Sequence, residues 1–413
     1  MDHRTFVIVG GGLAAGAAVT TLRTEGFDGR IVVFGTELHV PYERPPLSKE
    51  YLRGEAERSS LSLRPAAWYG EAAVELRLGE TVARVHPSEH RIELADGERV
   101  PYDRLLLATG GRNRSLAVPG HDLDGVLGLR TVEDAERIRA EALRARKVVI
   151  VGGGFIGVEV AASLRSMGLE VEVVEFFALP LLRVVGEEVG RLYEAIHLDH
   201  GVRFRFGEAV QRFEGSGGRV EAVVTDRGSR VEGDFVVVGV GIQPNVEVVE
   251  GTEIAVENGV VVDEYLRATA PDVFAAGDVA NHLHPVFGRR IRVEHYDNAL
   301  KQGAAAARNM LGTDAVFDDT HWFWSDQFEH NLQYVGFAAE WDRFVVRGSL
   351  EERRFVGFYV RDGVVKAVVG VDRGRDVRRA AGLVRAARPV DLGALQDEDV
   401  DLKKLSRSLA STD

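Results

Sequence analysis

Two glycine-rich turns, each preceded by a short apolar run, constrain the fold of this chain more than any other feature. The first turn has the sequence GGGLAA at residues 10–15, and the second has GGGFIG at residues 152–157. An apolar run, a Gly-x-Gly-x-x-(Gly/Ala) turn and an alanine-rich stretch occur in this order where a strand delivers a pyrophosphate to a helix N-terminus. One such turn alone is compatible with an ordinary strand-to-helix connection. With two of them, we predict two Rossmann-type dinucleotide sites.

The small residues of the second turn have separate roles. Gly152 permits the tight turn, Gly154 lets the backbone approach the phosphates, and Gly157 lets helix and strand pack closely. The free N–H groups of the first helical turn would then meet the anion. The equivalent positions of the first turn are Gly10, Gly12 and Ala15.

An acidic residue follows the strand after each turn. Glu175 ends the run at residues 170–174, where its carboxylate can accept hydrogen bonds from an adenine ribose. A carboxylate there repels a 2′-phosphate, and residues 176–178 include no arginine, so we predict a preference for NADH over NADPH. Glu37 follows the strand at residues 31–34 less directly, and a ribose ligand and a solvated loop acid both remain open.

The chain has no cysteine, which excludes structural disulfides, thiolate metal sites, protein-ligated iron–sulfur clusters and a redox-active dithiol. Two histidine pairs lack an accompanying ligand set, so we predict no metal site. We expect His197 and His200 on the surface of an amphipathic helix over residues 187–200, and His282 and His284 in a loop.

The length and net charge of the chain limit the kinds of protein that it can be. A chain of 413 residues is expected to form two or three domains. Its formal net charge of −13 argues against nonspecific nucleic-acid binding. No apolar stretch is long enough to span a bilayer, and the first residues run into a strand without a signal-peptide pattern. We therefore predict a soluble cytoplasmic protein without a membrane partner.

The stretch PYERPPLSK at residues 41–49 resembles the signature of the ferredoxin reductases of bacterial oxygenase and P450 systems, the putidaredoxin reductase-like group. By itself it is a proline-braced loop that places Arg44 and Lys49 near an anion, or a surface turn with exposed charges. The resemblance implies that both cations lie beside the flavin of FAD, bound at the N-terminal turn, and that Lys49 pairs with Glu159.

Further motifs match the same family in the same order. Those at residues 108–110 and 239–241 resemble the two crossings between an FAD and an NAD domain. Arg130 resembles an arginine that contacts the FAD pyrophosphate, although a cation balancing nearby acids is the alternative. A strand ending in Gly277-Asp278 at the start of a helix would place Asp278 on the ribityl chain of FAD. The resemblance thus assigns to cofactor binding Thr109, Gly110, Arg130, Gly241, Gly277 and Asp278.

Two aromatic segments complete the resemblance. The segment VEHYDNA at residues 293–299 resembles the helix entry beside the isoalloxazine, with Tyr296 where relatives usually have tryptophan. The segment HWFWSDQF at residues 321–328 could be ordinary core, but it resembles a family motif in which Trp324 and Gln327 approach the flavin or nicotinamide. Phe328 replaces the usual tyrosine there.

The family resemblance implies an α/β, glutathione-reductase-like fold with two Rossmann-type dinucleotide-binding domains and an α+β C-terminal domain. The expected boundaries are 1–110 and 246–320 for a discontinuous FAD domain, 111–245 for the NAD domain and 321–413 for the C-terminal domain. Strand-like alternation over residues 332–371 fits the last of these.

The function implied is that of an NADH:ferredoxin reductase. Electrons must leave FAD directly, because the chain has no dithiol to relay them. The residues expected to act in catalysis are Lys49, Glu159, Tyr296 and Trp324. Rubredoxin reduction, quinone or monodehydroascorbate reduction, a redox sensor resembling apoptosis-inducing factor and a nonredox dinucleotide-binding protein are the alternatives.

The expected partner is an acidic [2Fe–2S] ferredoxin. Basic residues at 289–292 and 373–379 could steer it electrostatically, or could form an ordinary solvated surface. A monomer and a homodimer both remain open.

Overall fold

The computed structural model describes residues 2–410, which form two compact units. The first unit comprises residues 2–43, 58–112 and 243–321, and the second comprises residues 44–57, 113–242 and 322–410. The loop at residues 44–57 thus belongs with the second unit, which also holds most of the predicted NAD and C-terminal domains. The three-domain assignment with its boundaries stays a prediction.

Both units contain helices. A search of the described residues finds no helix with the length and hydrophobicity of a membrane span. The α-helices are α1 Leu13–Thr24, α2 Glu50–Arg53, α3 Ala66–Glu71, α4 Val132–Ala142, α5 Phe155–Ser166, α6 Leu182–Asp199, α7 Tyr296–Met310, α8 Gly374–Ala386, α9 Leu392–Gln396 and α10 Leu402–Ala410. Short 3₁₀ helices lie at Pro45–Ser48, Arg58–Leu61, Pro87–Glu89, Glu247–Val249 and Gly277–Val279.

The strands follow the apolar runs of the sequence. In the first half of the chain they are β1 Thr5–Val9, β2 Arg30–Gly35, β3 Val74–Leu78, β4 Val82–His86, β5 Arg91–Leu94, β6 Arg99–Pro101, β7 Arg104–Leu107, β8 Gly111–Asn113, β9 Val126–Gly128, β10 Lys147–Val151, β11 Glu170–Glu175 and β12 Arg203–Phe206. In the second half they are β13 Val210–Ser216, β14 Arg219–Thr225, β15 Arg230–Glu232, β16 Phe235–Val238, β17 Ile242–Pro244, β18 Val260–Val262, β19 Val273–Ala275, β20 Ala280–His284, β21 Arg289–Ile291, β22 Trp322–Gln327, β23 His330–Gly336, β24 Arg343–Ser349, β25 Arg354–Arg361 and β26 Val364–Val371.

The first unit is built on a five-stranded parallel sheet in the order β19-β7-β1-β2-β3. Residues 6–9 of β1 are buried, as expected for an apolar strand covered on both faces. Helices α1 and α7 cross closely, since a Cβ at Gly303 would lie 2.2 Å from the Ala14 carbonyl oxygen. The glycine-rich turn between β1 and α1 therefore opens at the carboxyl edge of this sheet.

The second unit repeats this arrangement with a parallel sheet in the order β12-β11-β10-β16-β9. Its second glycine-rich turn joins β10 to α5. The predicted α/β class with two Rossmann-type sheets is confirmed by these two topologies.

An antiparallel sheet in the order β22-β23-β26-β25-β24 forms the C-terminal part of the second unit, together with α8 and α10. Alternate residues of β22 are buried, at Phe323, Ser325 and Gln327. This period of two places the middle of the aromatic motif on two opposite faces of the strand.

Two local predictions are wrong. No α-helix begins at Gly277-Asp278, because Gly277–Val279 form one 3₁₀ turn that leads directly into β20. His282 and His284 lie within that strand and are buried, so they do not occupy a loop. The predicted helix over residues 187–200 is confirmed to within one residue, because Gly186, with a non-helical φ of 76°, separates the first turn of α6 from the rest, which ends at Asp199.

Candidate active site

The first glycine-rich turn leaves open space at the N-terminus of α1. A Cβ at Gly10 would lie 2.1 Å from the Ala108 carbonyl oxygen, so only glycine fits there. Gly12 is the N-cap residue of α1, and apart from its two chain neighbours no atom lies within 4 Å of where its Cβ would be. The first helical turn has no acidic residue. Unused backbone N–H groups beside open space fit a pyrophosphate, as the FAD assignment requires.

The second turn has the same design. A Cβ at Gly152 would lie 2.5 Å from the Gly239 carbonyl oxygen, and one at Gly157 would lie 2.0 Å from the Gly152 carbonyl oxygen. Gly154 caps α5 and faces open space, again with no acid in the first helical turn. This donor set also fits a pyrophosphate, as expected for NADH.

Glu175 lies at the end of β11, where its carboxylate contacts the second turn. One oxygen accepts from the Gly153 N–H, and the other accepts from the Phe177 N–H at 2.7 Å. Each carboxylate oxygen can accept a further hydrogen bond, so a ribose hydroxyl can still bind. Residues 176–178 contain no arginine, but the exposed Arg183 of α6 lies close to this segment. Its guanidinium lies 5.8 Å from the centre of the Phe177 ring.

Glu37 lies in the first unit, half-buried, after β2. Its carboxylate accepts a hydrogen bond from the Tyr42 hydroxyl at 2.6 Å. The loop that begins at Pro41 therefore holds this side chain in one place. Ribose binding by Glu37 stays a prediction.

The predicted Lys49–Glu159 pair is present in the second unit. Lys49 Nζ lies 2.7 Å from Glu159 Oε2, and both side chains are less than 10% exposed. The hydroxyls of Ser48 and Ser325 donate to the same carboxylate at 2.6 Å each, to Oε2 and Oε1 respectively. A buried charge needs this number of partners to offset its lost hydration. The role of the pair beside a flavin stays a prediction.

Arg44 and Arg130 are brought together. The Arg44 guanidinium donates to the backbone carbonyl of Arg130. Arg130 itself precedes α4, which begins with a capping box in which Thr131 and Asp134 each bond the backbone of the other. The Asp134 carboxylate also accepts from the Arg130 backbone N–H at 2.9 Å. Contact of either arginine with a cofactor stays a prediction.

Hydrogen bonds fix the backbone at both glycine-containing segments, residues 108–110 and 239–241. In the first unit, the Thr109 hydroxyl donates to the Asn245 carbonyl at 2.7 Å, and the Asn245 N–H donates to the Gly110 carbonyl at 3.0 Å. In the second unit, Gly241 has a φ of 96° and its carbonyl accepts from the Arg114 N–H at 2.9 Å. Positive φ explains the glycine at both Gly110 and Gly241.

Gly277 and Tyr296 are fixed within the first unit by their neighbours. The Gly277 N–H donates to Gln302 Oε1 of α7 at 2.9 Å, and half-buried Asp278 follows it. The Tyr296 hydroxyl donates to Glu43 at 2.7 Å at the start of α7. Burial, with a smaller contribution from this hydrogen bond, raises the pKa of Tyr296. The ring is therefore an oriented neutral phenol at ordinary pH.

The two predicted residues of β22 lie on opposite faces. Trp324 is half-buried, stacks on Trp322 with ring centres 5.2 Å apart, and donates from Nε1 to Asp326 at 3.0 Å. Gln327 is fully buried, and both ends of its amide have partners in the second unit. One partner is His197, whose predicted surface position is wrong, because α6 turns this residue into the core. Burial lowers the pKa of His197 to about 4.

The basic segments are partly engaged in local contacts. In the first unit, Arg290 donates to two backbone carbonyls and Arg292 pairs with Glu294 at 2.7 Å. In the second unit, Arg373 pairs with Asp376 at 2.7 Å, whereas Arg378 is exposed. Among residues 2–410, no group of three or more histidines and acids is arranged to hold a metal ion.

The chain is similar to known proteins over nearly its whole length. A family model described as pyridine nucleotide-disulphide oxidoreductase matches residues 4–303, and one described as reductase C-terminal matches residues 322–406. Rhodocoxin reductase of Rhodococcus erythropolis is 39% identical over 97% of this chain and 93% of its own length. The ferredoxin–NAD(+) reductase component of an anthranilate 1,2-dioxygenase system of Burkholderia cepacia is 39% identical over 98% of this chain and 99% of its own.

The fold is similar to that of a solved complex. The reductase in a crystal structure of the covalent putidaredoxin reductase–putidaredoxin complex superimposes with a TM-score of 0.95 and 35% identity, covering all of both chains. The relatives are thus similar over the full length and not only at the glycine-rich turns. The chain belongs to the pyridine nucleotide-disulphide oxidoreductase family and, within it, to the ferredoxin reductases of oxygenase and P450 systems.

Proposed function

We propose that this protein is an NADH-dependent flavoprotein reductase that passes electrons through FAD, one at a time, to a ferredoxin serving an oxygenase or a cytochrome P450. The observation that carries the proposal is the buried ion pair between Lys49 and Glu159, in a chain without cysteine. Glu159 lies on α5, the helix that follows the second glycine-rich turn. FAD supplies hydride acceptance from NADH and single-electron donation. The protein supplies binding, orientation and electrostatics.

The residues divide between binding and orientation. The turn at residues 10–15 would hold the FAD pyrophosphate, and the turn at residues 152–157 would hold that of NADH. Glu175 would bind the adenine ribose and disfavour a 2′-phosphate. Lys49 would present a fixed positive charge at the flavin, and Glu159 would keep that charge oriented.

The remaining predicted residues would complete the FAD site. Arg44 would lie beside its flavin, and Arg130 would contact its pyrophosphate. Asp278 would accept from its ribityl chain, and Tyr296 with Trp324 would shape the stacking faces of the ring. The oriented Tyr296 phenol and the half-buried Trp324 indole support the last of these roles. The other predicted contacts with the cofactors are Ala15, Glu37, Thr109, Gly110, Gly241, Gly277 and Gln327.

The electron acceptor we propose is an acidic [2Fe–2S] ferredoxin. Relatives named as ferredoxin reductases and a covalent reductase–putidaredoxin complex support a ferredoxin of some kind. The exposed arginines of α8 support an acidic one, because complementary charge accelerates encounter. The cytoplasmic location stays a prediction from the sequence.

Stopped-flow spectroscopy under anaerobic conditions tests this function. NADH should reduce the flavin of the purified protein, and oxidised [2Fe–2S] ferredoxin should reoxidise it over many turnovers. Rubredoxin and a soluble quinone serve as competing acceptors in separate mixings. Faster reoxidation by either would replace ferredoxin as the acceptor, and a reduced protein that stalls with every acceptor would indicate a redox sensor instead.

A further inference from the structure

A line of buried hydrogen bonds connects α6 to Glu159 within the second unit. His197 Nε2 lies 2.8 Å from Gln327 Oε1, and Gln327 Nε2 donates to Ser325 Oγ at 2.9 Å. Ser325 Oγ donates to Glu159 Oε1 at 2.6 Å, on the opposite side of the carboxylate from Lys49. None of the three added side chains is measurably exposed.

The direction of these hydrogen bonds follows from the donors available. A carboxylate only accepts, so Ser325 must give its one hydroxyl hydrogen to Glu159 and must accept from Gln327. That contact turns the Gln327 oxygen toward His197, and a carbonyl oxygen needs a donor there. His197 therefore carries its hydrogen on Nε2, and its Nδ1 is a bare buried acceptor. All donors in the line point toward Glu159.

We propose that Ser325, Gln327 and His197 are positioning residues that fix the Glu159 carboxylate and, through it, the Lys49 ammonium. The inference rests on the proposed function, since it concerns how this pair is held at the flavin. Reversing any member would place two acceptors or two donors face to face in a dry interior, which costs free energy. The line thus admits one arrangement of hydrogen atoms.

The neutral imidazole keeps this arrangement stable. A protonated ring would still donate from Nε2, but burial disfavours the charge and lowers the pKa of His197 to about 4. The ring also packs against Phe204 and Phe328, with ring centres 5.8 Å and 5.1 Å away. It can neither rotate nor charge without disturbing the core.

Substitutions separate positioning from simple core packing. Replacing His197 with leucine should destabilise the fold most, because the ring is fully buried among aromatic side chains. Ser325→Ala removes a single oxygen and should destabilise it least. If the line positions Glu159, the loss of hydride-transfer rate should follow the opposite order. It should be largest for Ser325→Ala, smaller for Gln327→Leu and smallest for His197→Leu.

The experiment uses the flavin-loaded protein and measures the rate of flavin reduction at saturating NADH, the NADH dissociation constant and thermal stability. We expect Ser325→Ala to lower the rate about tenfold, because a hydrogen bond to a charged group is lost, with little change in NADH affinity. Ser325→Thr, which retains the hydroxyl, should restore most of the rate. Ser166→Ala on α5 and His200→Leu on α6 are the matched controls and should leave the rate unchanged. A rate loss that follows the order of stability loss would overturn the proposal.

A second measurement does not depend on turnover. In ¹⁵N-histidine NMR spectra, the resonances of His197, assigned with His197→Leu, should show the Nε2–H tautomer. They should shift in Ser325→Ala, although Ser325 does not touch the ring. An Nδ1–H tautomer, or no shift, would refute the line. Wild-type protein that binds no flavin or is not reduced by NADH would instead refute the proposed function, while the tautomer would still report on the line.

Discussion

Removing the Lys49 ammonium tests the buried pair most sharply. Lys49→Met would leave the Glu159 carboxylate nearly as buried as before, with only two hydroxyl donors to replace a full opposite charge. Breaking a buried pair on one side costs about 3–5 kcal/mol. Because Ser48 and Ser325 continue to donate, we expect a loss near the lower limit, about 3 kcal/mol.

The double variant shows whether this loss comes from the unpaired charge. Replacing both partners, with Lys49→Met and Glu159→Gln, should recover much of the stability, since no buried charge remains. The assay is a double-mutant cycle on urea unfolding followed by tryptophan fluorescence. Arg53 and Glu55 provide the control cycle, because their ion pair of 2.7 Å lies close by in sequence and is much more exposed. That pair should give a coupling energy below about 1 kcal/mol. Equal coupling energies in the two cycles would refute the account of the buried pair.

Three further predictions concern the cofactor, the partner and pH. Glu175→Ala should raise the preference for NADPH relative to NADH about tenfold, because a hydrogen bond to the ribose and a repulsion of the 2′-phosphate are both lost. The preference is measured as the ratio of the kcat/KM values for the two cofactors. Neutralising Arg375, Arg378 and Arg379 together should slow ferredoxin reduction and flatten its salt dependence while NADH-to-flavin transfer is unaffected. The pKa of His197 is lowered from 6.5 to about 4 on folding. As the pH falls from about 6.5 to about 4, the unfolded chain therefore binds a proton at His197 that the folded protein does not, and the free energy of unfolding should decrease. Measuring the free energy of unfolding of the wild type and of His197→Leu across that pH range shows whether the histidine has this destabilising effect.

Each of these predictions has a control or a contradicting result. Glu170→Ala changes an exposed carboxylate at the far end of β11 and should leave the cofactor preference unchanged. If Glu175→Ala also leaves it unchanged, Glu175 does not contact the ribose. Unaltered ferredoxin kinetics in the triple variant would make the arginines of α8 an ordinary solvated surface. An identical pH dependence with and without His197 would show that its ring titrates normally.

Local sequence patterns predict the parts of the fold that depend on local geometry. At Gly157 the steric reason is local, because a Cβ there would meet the Gly152 carbonyl oxygen of the same turn, and the spacing of the glycines alone indicates the turn. The capping box at Thr131 is likewise contained within four residues. Such features need no knowledge of the tertiary structure.

The features that local sequence patterns do not predict depend on tertiary contacts. Lys49 and Glu159 are 110 residues apart, and only the family resemblance paired them. His197 looked like a surface residue because the helical pattern gives no partner for it, whereas Gln327 of β22 supplies one 130 residues away. The prediction of a helix after Gly277 is wrong, because the three residues of the 3₁₀ turn lead directly into β20.

Electron counting provides the most direct test of the central claim, that bound flavin connects NADH to a ferredoxin. Under anaerobic conditions, the flavin absorbance of the purified protein should be lost on adding one equivalent of NADH per flavin. Because a hydride carries two electrons and a [2Fe–2S] ferredoxin accepts one, the absorbance should return after two equivalents of oxidised ferredoxin. A colourless protein, or a flavin spectrum that NADH does not change, would contradict the account.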